Sequence, residues 1–453
     1  MMRVLLALSV LLPGLAMAQG DEGWTLERCI RHAIDNNIQV RQAALQHQSA
    51  GYDRSQAFMA MLPDLNGGVS YGANFGRTID PGSNQFVTET VNSNNYFLST
   101  NVTLFNGFAL YNTFRQSQLS QLAAELDVKA AQNDLGLSIA TGFMQIMFNE
   151  ELLDVARNQM TMTEAQLDRT RKLVEGGALA EGNMFETEAQ LANDRLQVVN
   201  AENRLNASLL QLRQMLNLKS DEPFAIVRPK VVLPIENVTA RSVNDIYGTA
   251  VQSWPQVMAR EARIKAADKG ISIANGYLYP QLSANFSIST LYSSAFQDVT
   301  FDSTTFQPIV KDVPFTNQMD NNFSQRLGIN LNIPIFNGLQ ARTNLRKARL
   351  NRVNADLQLR DTQNQLYSNV QQAYNDAVAG MRQYEAGEQS LEASQKAFEY
   401  AKQRFEAGAL NPYDFNTSKN NLARVQSDVL RAKYEYIFRA KVLDFYMGKG
   451  IGF

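Results

Sequence analysis

The chain has 453 residues, 42 of them lysine or arginine and 44 aspartate or glutamate, with two histidines and one cysteine. That near balance, with no basic run, leaves no electrostatic footprint for nucleic acid, and a single cysteine cannot form an intrachain disulfide. The length would hold two or three ordinary domains, but an internal repeat makes two copies of one unit the better reading.

The opening, MMRVLLALSVLLPGLAMAQG, sets Arg3 before an apolar run from Val4 to Leu15 and ends on the small-x-small site Ala16-Met17-Ala18. This is the pattern of a secretory signal peptide over residues 1–18, with the mature chain starting at Gln19. The run is too short, and too soon broken by Pro13-Gly14, to span a bilayer, and no other stretch approaches ~20 uninterrupted apolar residues. Any membrane crossing therefore falls to strands. Cys29 lies inside a helical pattern well past the cut, which excludes an acylated first residue and leaves a buried thiol acting as a small hydrophobe.

Two copies of one unit follow. Phe105-Asn106-Gly107 returns as Phe336-Asn337-Gly338, Leu126 of LDVKAAQNDL as Leu357 of LQLRDTQNQL, and Glu175 of EGGAL as Glu406 of EAGAL, each 231 positions on. The mature chain divides into a first structural repeat over 19–217, a linker over 218–242, a second repeat over 243–447 and a tail over 448–453. Each repeat opens with a helix, one over 25–61 started by Thr25 and one over 243–278 started by Ser242, with Asp245 as its capping partner. Each helix stops at a proline, Pro63 or Pro280, where the apolar period changes from 3.6 to 2.

Beyond Pro63, Leu65, Val69, Tyr71, Ala73 and Phe75 share one face, with Asn66, Gly68, Ser70, Gly72 and Asn74 on the other. Three more segments alternate in the same way: Tyr96 to Leu104, Leu282 to Ile288 and Leu327 to Ile333. At roughly 10–13 residues each they exceed ordinary globular strands and match those that cross a bilayer at a tilt. A soluble sheet with one wet face fits the alternation equally well. The signal peptide, the tyrosines and phenylalanines towards the strand ends, and a polar face of Asn, Ser and Gly favour a water-filled lumen. Four strands cannot close a barrel, and an open edge in lipid leaves backbone polar groups unpaired. Three chains supply twelve strands where two supply only eight, so a cyclic homotrimer is the economical expectation.

The Asn106-Gly107 and Asn337-Gly338 junctions each lead into about 68 residues without proline, on the order of 100 Å as one helix. Ile139, Ile146, Leu153, Met160, Leu167 and Val174 recur at sevens, as do Met184, Leu191, Val198, Leu205 and Leu212. The two series mirror each other about Leu179, which describes an antiparallel hairpin. In the second copy Ala377, Tyr384, Leu391, Phe398 and Phe405 mirror Leu443, Tyr436, Val429, Leu422 and Phe415 about Leu410. Three places after the first-copy seam residues come Gly142, Asn149, Ala156, Thr163 and Thr170, small enough for a neighbouring backbone to approach.

The duplicated order of helix, proline, strand, loop, strand, F-N-G junction, long helix and G-A-L tip resembles the TolC family of outer-membrane channel-tunnels across essentially the whole mature chain. The resemblance implies an α plus transmembrane-β fold: four membrane strands per chain, a twelve-stranded barrel in a homotrimer, and coiled-coil hairpins forming a periplasmic tunnel. It implies residence in the outer membrane of a Gram-negative bacterium, with a periplasmic adaptor and an inner-membrane pump of RND or ABC type as partners. The expected role is the exit duct of a tripartite efflux system for small molecules, with type I protein secretion as the alternative. A non-conducting periplasmic coiled-coil scaffold or adhesin would share the heptads but has no need of two-faced strands.

No catalytic constellation is present. His32 and His47 lie fifteen apart and, with Cys29, give no metal-ligand spacing; G-x-S-x-G, Walker A and G-x-G-x-x-G are all absent, so no enzyme, metal or cofactor is expected. The family places an acid in the narrow end of the tunnel shortly after the second-tip glycine, which here is Asp414. Thr417 stands where some members carry a second acid, and Asn183 is the first-copy equivalent of Asp414. Three copies of Asp414 around an axis would attract cations; equally, Asp414 could serve as N-cap of the return helix after Pro412. Adaptor contact is expected at the tips, around Val174, Gly177, Ala178, Leu179, Phe405, Gly408, Ala409 and Leu410, where the glycines could instead serve only to stop the helix. Arg77 and Arg326, near the outer ends of the strands, could tune lumen charge or simply be solvated. The loops over 78–95 and 293–322, rich in Asn, Ser, Thr and Asp, are expected outside the cell.

Overall fold

The computed structural model describes residues 23–80, 84–219, 224–229 and 240–450. The leader over 1–18, much of the linker and the last three residues of the tail lie outside them. In chain order the first copy runs α1 (Leu26–Asn36), α2 (Ile38–Met59), β1 (Asn66–Asn74), β2 (Arg77–Ile79), β3 (Phe86–Thr88), β4 (Val91–Phe105), α3 (Ala109–Glu175) and α4 (Glu181–Met215). The second runs α5 (Val243–Ser253), α6 (Pro255–Gly276), β5 (Gln281–Ser293), β6 (Gln297–Phe301), β7 (Pro308–Asp312), α7 (Phe315–Asn321), β8 (Ser324–Asn332), α8 (Gln340–Glu406) and α9 (Pro412–Tyr446).

Both opening helices are broken where one was expected. Asn37 leaves the helix in an extended conformation, and its side chain accepts the N–H groups of Gln39 (2.8 Å) and Val40 (3.3 Å), capping α2 afresh. In the second copy Pro255 is the first residue of α6, and Trp254 before it is extended, because a proline ring disfavours the helical region for its predecessor. The expected caps form. Thr25 accepts from the Arg28 N–H, and Ser242 with Asp245 makes a reciprocal box with both backbone bonds at 3.2 Å.

The chain comprises two compact units. One consists of Arg41–Ala131 and Gly248–Ser368 and contains the sheet. Its four strands are ordered β1-β4-β5-β8, every neighbour antiparallel. The register carries the alternation across the whole sheet. Val102, Ala284 and Ile329 stand side by side, as do Thr100, Phe286 and Leu327, while Asn101, Asn285 and Gly328 form a row on the opposite face, next to Ser99, Ser287 and Arg326. One face is apolar and the other polar over all four strands, as a one-residue slip anywhere would have prevented. Helices α2 and α6 pack beside the first part of α3, through Phe58 on Phe114, and Gln116 to the Ala266 carbonyl (3.1 Å).

The outer connections are not plain loops. β2 pairs with β3 and β6 with β7 as small hairpins, β4 begins as early as Val91, and α7 docks on β5. The Gln318 amide accepts from the Ser293 N–H (2.9 Å) and donates to the Ser293 carbonyl (3.0 Å), taking the place of a strand beyond Ser289, the last β5 residue that β8 pairs with. Arg77 accordingly lies in a hairpin over the Phe86 ring, and only Arg326 sits on the polar face of the sheet. An offset of 217 separates Pro63 from Pro280 and one of 231 separates Phe105 from Phe336, so the second outer connection is longer by the difference, 14 residues, and α7 lies within it.

The other unit consists of Met1–Val40, Gln132–Tyr247 and Asn369–Phe453. α3 and α8, 67 residues each, return as α4 and α9, 35 residues each. The mirrored seams form: Ile139, Ile146, Leu153, Leu191, Val198 and Leu212 are buried, and in the second hairpin Tyr384 stacks on Tyr436 and Phe405 on Phe415. Small seam residues permit close approach. A Cβ at Gly380 would stand 3.1 Å from the Tyr436 Cα, and one at Gly142 would stand 2.8 Å from the Met215 methyl. The α1 face of Leu26, Cys29 and Ala33 joins this core against Phe143 and Leu216. Burial pushes the Cys29 thiol up to about 12, well above its ordinary 9.0, so it is an inert packing group.

Candidate functional site

Three features of the fold have chemistry to offer: the hairpin tips, a buried polar seam above them, and the open edges of the sheet. Each tip is a helix stop of one design. Gly177 (φ +72°) and Gly408 (φ +73°) occupy the left-handed region, and the Ala178 and Ala409 N–H groups reach back to the Leu173 and Arg404 carbonyls, both at 2.8 Å. A Cβ on either glycine would meet nothing within 4 Å, so backbone conformation alone requires glycine there.

Asp414 is not the N-cap of α9. That position belongs to Asn411, whose side chain accepts the Asp414 N–H (2.8 Å) while its amide donates to the Asp414 carboxylate (2.9 Å). Asp414, the third residue of the helix, is tied side chain to side chain to its cap, exposed and paired with no cation among the described residues. Its charge also favours the positive end of α9. Thr417, exposed one turn on, donates to the Tyr413 carbonyl, and Asn183 holds the matching place in α4 with its amide on the Ala180 carbonyl. Val174, Leu179, Ala178, Ala409 and Leu410 complete the two turns.

The polar seam escaped sequence reading. Lys419 of α9 has no exposed side-chain surface, yet it lies 3.5 Å from the Asp194 carboxylate of α4, itself 5 % exposed. The Thr163 hydroxyl of α3 accepts from Lys419 at 2.5 Å and donates to Asp194, whose second oxygen accepts from Gln190 at 2.7 Å. Asn420 accepts from Gln159 (3.0 Å) and donates to Gln190 (3.4 Å). Desolvation lowers the Lys419 pKa and Asp194 opposes that shift. Nearer the tips Arg169 donates to the Glu406 carbonyl (2.9 Å) and covers the Phe405 ring, joining the first hairpin to the end of α8.

At the sheet, the junctions act as corners. Gly107 and Phe108 are both left-handed (φ +63° and +61°), as are Gly338 and Leu339 (+61° and +65°), and the Asn106 carbonyl accepts from Ala109 as Asn337 does from Gln340. Gly107 has a second reason to be glycine: a Cβ there would stand 2.4 Å from the Gly276 carbonyl oxygen. Pro63 is followed by Asp64, whose carboxylate accepts the Asn101 N–H (2.6 Å), and Pro280 leads directly into β5. β1 and β8, nine residues each, have no strand on their outer sides among the described residues. Val69, Tyr71, Leu327, Ile329 and Leu331 on these strands are exposed. Among the described residues no helix is long and apolar enough to cross a membrane and no acid, histidine or cysteine cluster could hold a metal.

The family model for outer membrane efflux proteins matches residues 29–218 and 246–449. No curated protein matches the chain at a significant level. Among solved structures the fold is similar to the outer membrane protein VceC from Vibrio cholerae (16 % identity, TM-score 0.77, covering 94 % of this chain and 97 % of that one). It is also similar to the Campylobacter jejuni CmeC outer membrane channel (17 %, 0.75, 93 % and 85 %) and to the open state of the Neisseria gonorrhoeae MtrE outer membrane channel (16 %, 0.75, 94 % and 89 %). With its repeats matched almost end to end, the chain belongs to the outer membrane efflux protein family: it is a channel protein of the outer membrane with its helical tunnel in the periplasm.

Proposed function

We propose that three copies join β8 of one chain to β1 of the next, forming a twelve-stranded barrel that is the exit duct of a tripartite efflux system. Small molecules enter it from an inner-membrane pump of RND or ABC type through a periplasmic adaptor docked at the tips. The sheet carries this reading. Its apolar face is continuous, its polar face lines up Asn, Ser and Gly, and two bare edges of equal length run in opposite directions, so their pairing continues the antiparallel alternation. Left open in lipid, each unpaired backbone group would cost several kcal/mol. A scaffold or adhesin has no use for such a sheet.

The gate is assigned to Asp414. It is exposed, its carboxylate accepts from the Asn411 amide, and three copies near an axis form an acidic ring. Thr417 in place of a second acid makes cation block weaker than a two-acid ring would give. In a planar bilayer the purified protein is expected to conduct, with divalent cation on the tunnel side reducing the current and Asp414→Ala abolishing that block. Equal block in both proteins would move the gate elsewhere, and a membrane-inserted trimer without conductance would sink the channel reading.

A further inference from the structure

The two copies differ in charge over one matched stretch. Residues 90–124 and their counterparts 321–355 are both free of aspartate and glutamate, yet the first window holds one cation, Arg115, and the second holds six. Five of these, Arg342, Arg346, Lys347, Arg349 and Arg352, lie on the opening turns of α8, where the helix and not the sequence brings some of them together. Arg352 is held by Asp268 (3.4 Å) and Asp356 (3.8 Å). Arg342, Arg346 and Arg349 are exposed and enter no ion pair among the described residues. Spaced by four and then three, they form a ladder on one face of the helix over ~10 Å. Arg342 stands in the first turn, at the positive end of α8, where a cation weakens a helix.

The ladder lies just beyond the end of the sheet. Around α8, Ala341, Leu345, Ala348 and Arg352 make the more buried side, which meets α6 through Asp268. Gln340, Thr343, Asn344, Lys347, Asn351 and Asn354 flank it on one side, mostly neutral and polar like the sheet face assigned to the lumen, and the three arginines flank it on the other. The exposed apolar residues of β8 continue past the strand as Ile333, Ile335 and Leu339, and stop before Arg342. β4 ends, β5 starts and β8 ends side by side, with Phe105 opposite Leu282 and Gln281 opposite Asn332. Next to that end of the sheet in sequence stand Phe108, Tyr111, Tyr277, Tyr279 and Phe336, all exposed, as the aromatic belt at the edge of the hydrocarbon requires.

We infer that Arg342, Arg346 and Arg349 bind the headgroup phosphate of an anionic phospholipid in the periplasmic leaflet of the outer membrane. They begin where the apolar surface ends, and their ~10 Å rise covers the roughly 5–7 Å depth of one headgroup layer. Guanidinium forks match phosphate oxygens two at a time, and a cluster of cations at a bilayer surface favours lipid of net negative charge over zwitterionic lipid. The first copy lacks the site. Tyr111 and Gln118 stand at the places of Arg342 and Arg349, and Arg115 donates to Gln118 (2.9 Å), so each chain carries one site. The site depends on the sheet of the proposed channel crossing the bilayer, and on neither the gate nor the pump.

Native mass spectrometry of the full-length protein in detergent, titrated with phosphatidylglycerol or phosphatidylcholine, tests this. Wild type should retain phosphatidylglycerol about tenfold more tightly than phosphatidylcholine, and Arg342→Gln, Arg346→Gln and Arg349→Gln combined should erase that preference. Arg346→Gln alone should reduce it by about fivefold, while Arg115→Gln with Lys347→Gln should leave it intact. All three variants should keep the thermal unfolding and conductance of wild type. Equal retention of the two lipids by wild type, or an undiminished preference in the triple variant, overturns the site and leaves the channel reading standing. Displacement of the lipid by an equal concentration of inorganic phosphate overturns lipid as the occupant. A protein that neither inserts into vesicles nor conducts overturns the channel reading and the site with it.

Discussion

Lys419 carries a charge into a site from which water is excluded, and only Asp194, Thr163 and their neighbours hold it there. Burial lowers its pKa below the ordinary 10.5, so the native state releases the proton before the unfolded chain does, and the stability contributed by this site rises as pH climbs towards 10.5. Truncating one partner leaves the other buried and unpaired. Lys419→Ala or Asp194→Ala should each lower stability by about 3–5 kcal/mol, whereas Lys419→Met with Asp194→Leu should recover most of that loss, as thermal denaturation of the purified protein would show. Equal melting of the single and double variants would mean that the ion pair holds nothing together. Nothing in the sequence announced this seam. Asp194 sits between Leu191 and Val198 like any charged residue on a helix flank, and a heptad pattern reports what one hairpin buries, not what a helix 225 positions away brings to it. Thr163 was legible as a small seam residue, but its hydroxyl was not legible as a link between charges.

The ends of the long helices were legible because local chemistry dictates them: glycine in the left-handed region, Asn-Gly at the corners, and a proline after each opening helix. The breaks at Asn37 and Trp254 were not, since the apolar period runs on across both while a side-chain cap or a proline ring interrupts the backbone. Asp414 shows the same limit at closer range, because its neighbour Asn411 competes for the capping position and wins. Two kinds of glycine can be told apart by substitution. Gly177→Ala and Gly408→Ala should each cost on the order of 1 kcal/mol, a purely conformational penalty with open space around the new methyl. Gly107→Ala should cost clearly more, since its methyl would collide with the Gly276 carbonyl. Denaturant unfolding of the three variants measures this, and a Gly107→Ala protein no weaker than the tip variants would remove close approach as a reason for that glycine.

At the scale of the molecule, duplication was the most legible feature. An offset of 231 relates both ends of α3 to those of α8 and both ends of α4 to those of α9, and the alternation that marks four strands also sets their shared register. The strand order and the small outer hairpins were not legible, because pairing between strands far apart in sequence leaves no local trace. Between the proline and the F-N-G junction the second copy is longer by 14 residues, and α7 lies among them. Each helix of the first copy has a counterpart of equal length in the second, whereas the outer connections are under no such constraint. The turn from Asp302 to Phe306, held by the Asp302 carboxylate on the Thr304 N–H (2.7 Å), should therefore accept a short epitope between Thr304 and Thr305 with conductance intact. The same insertion at Asn106-Gly107 should abolish it, and loss of current in both would show that the rim is as constrained as the wall. Evolution has in effect run this experiment once already: after the ancestral gene doubled, the wall kept its measure and the rim became the margin in which the two halves could grow apart.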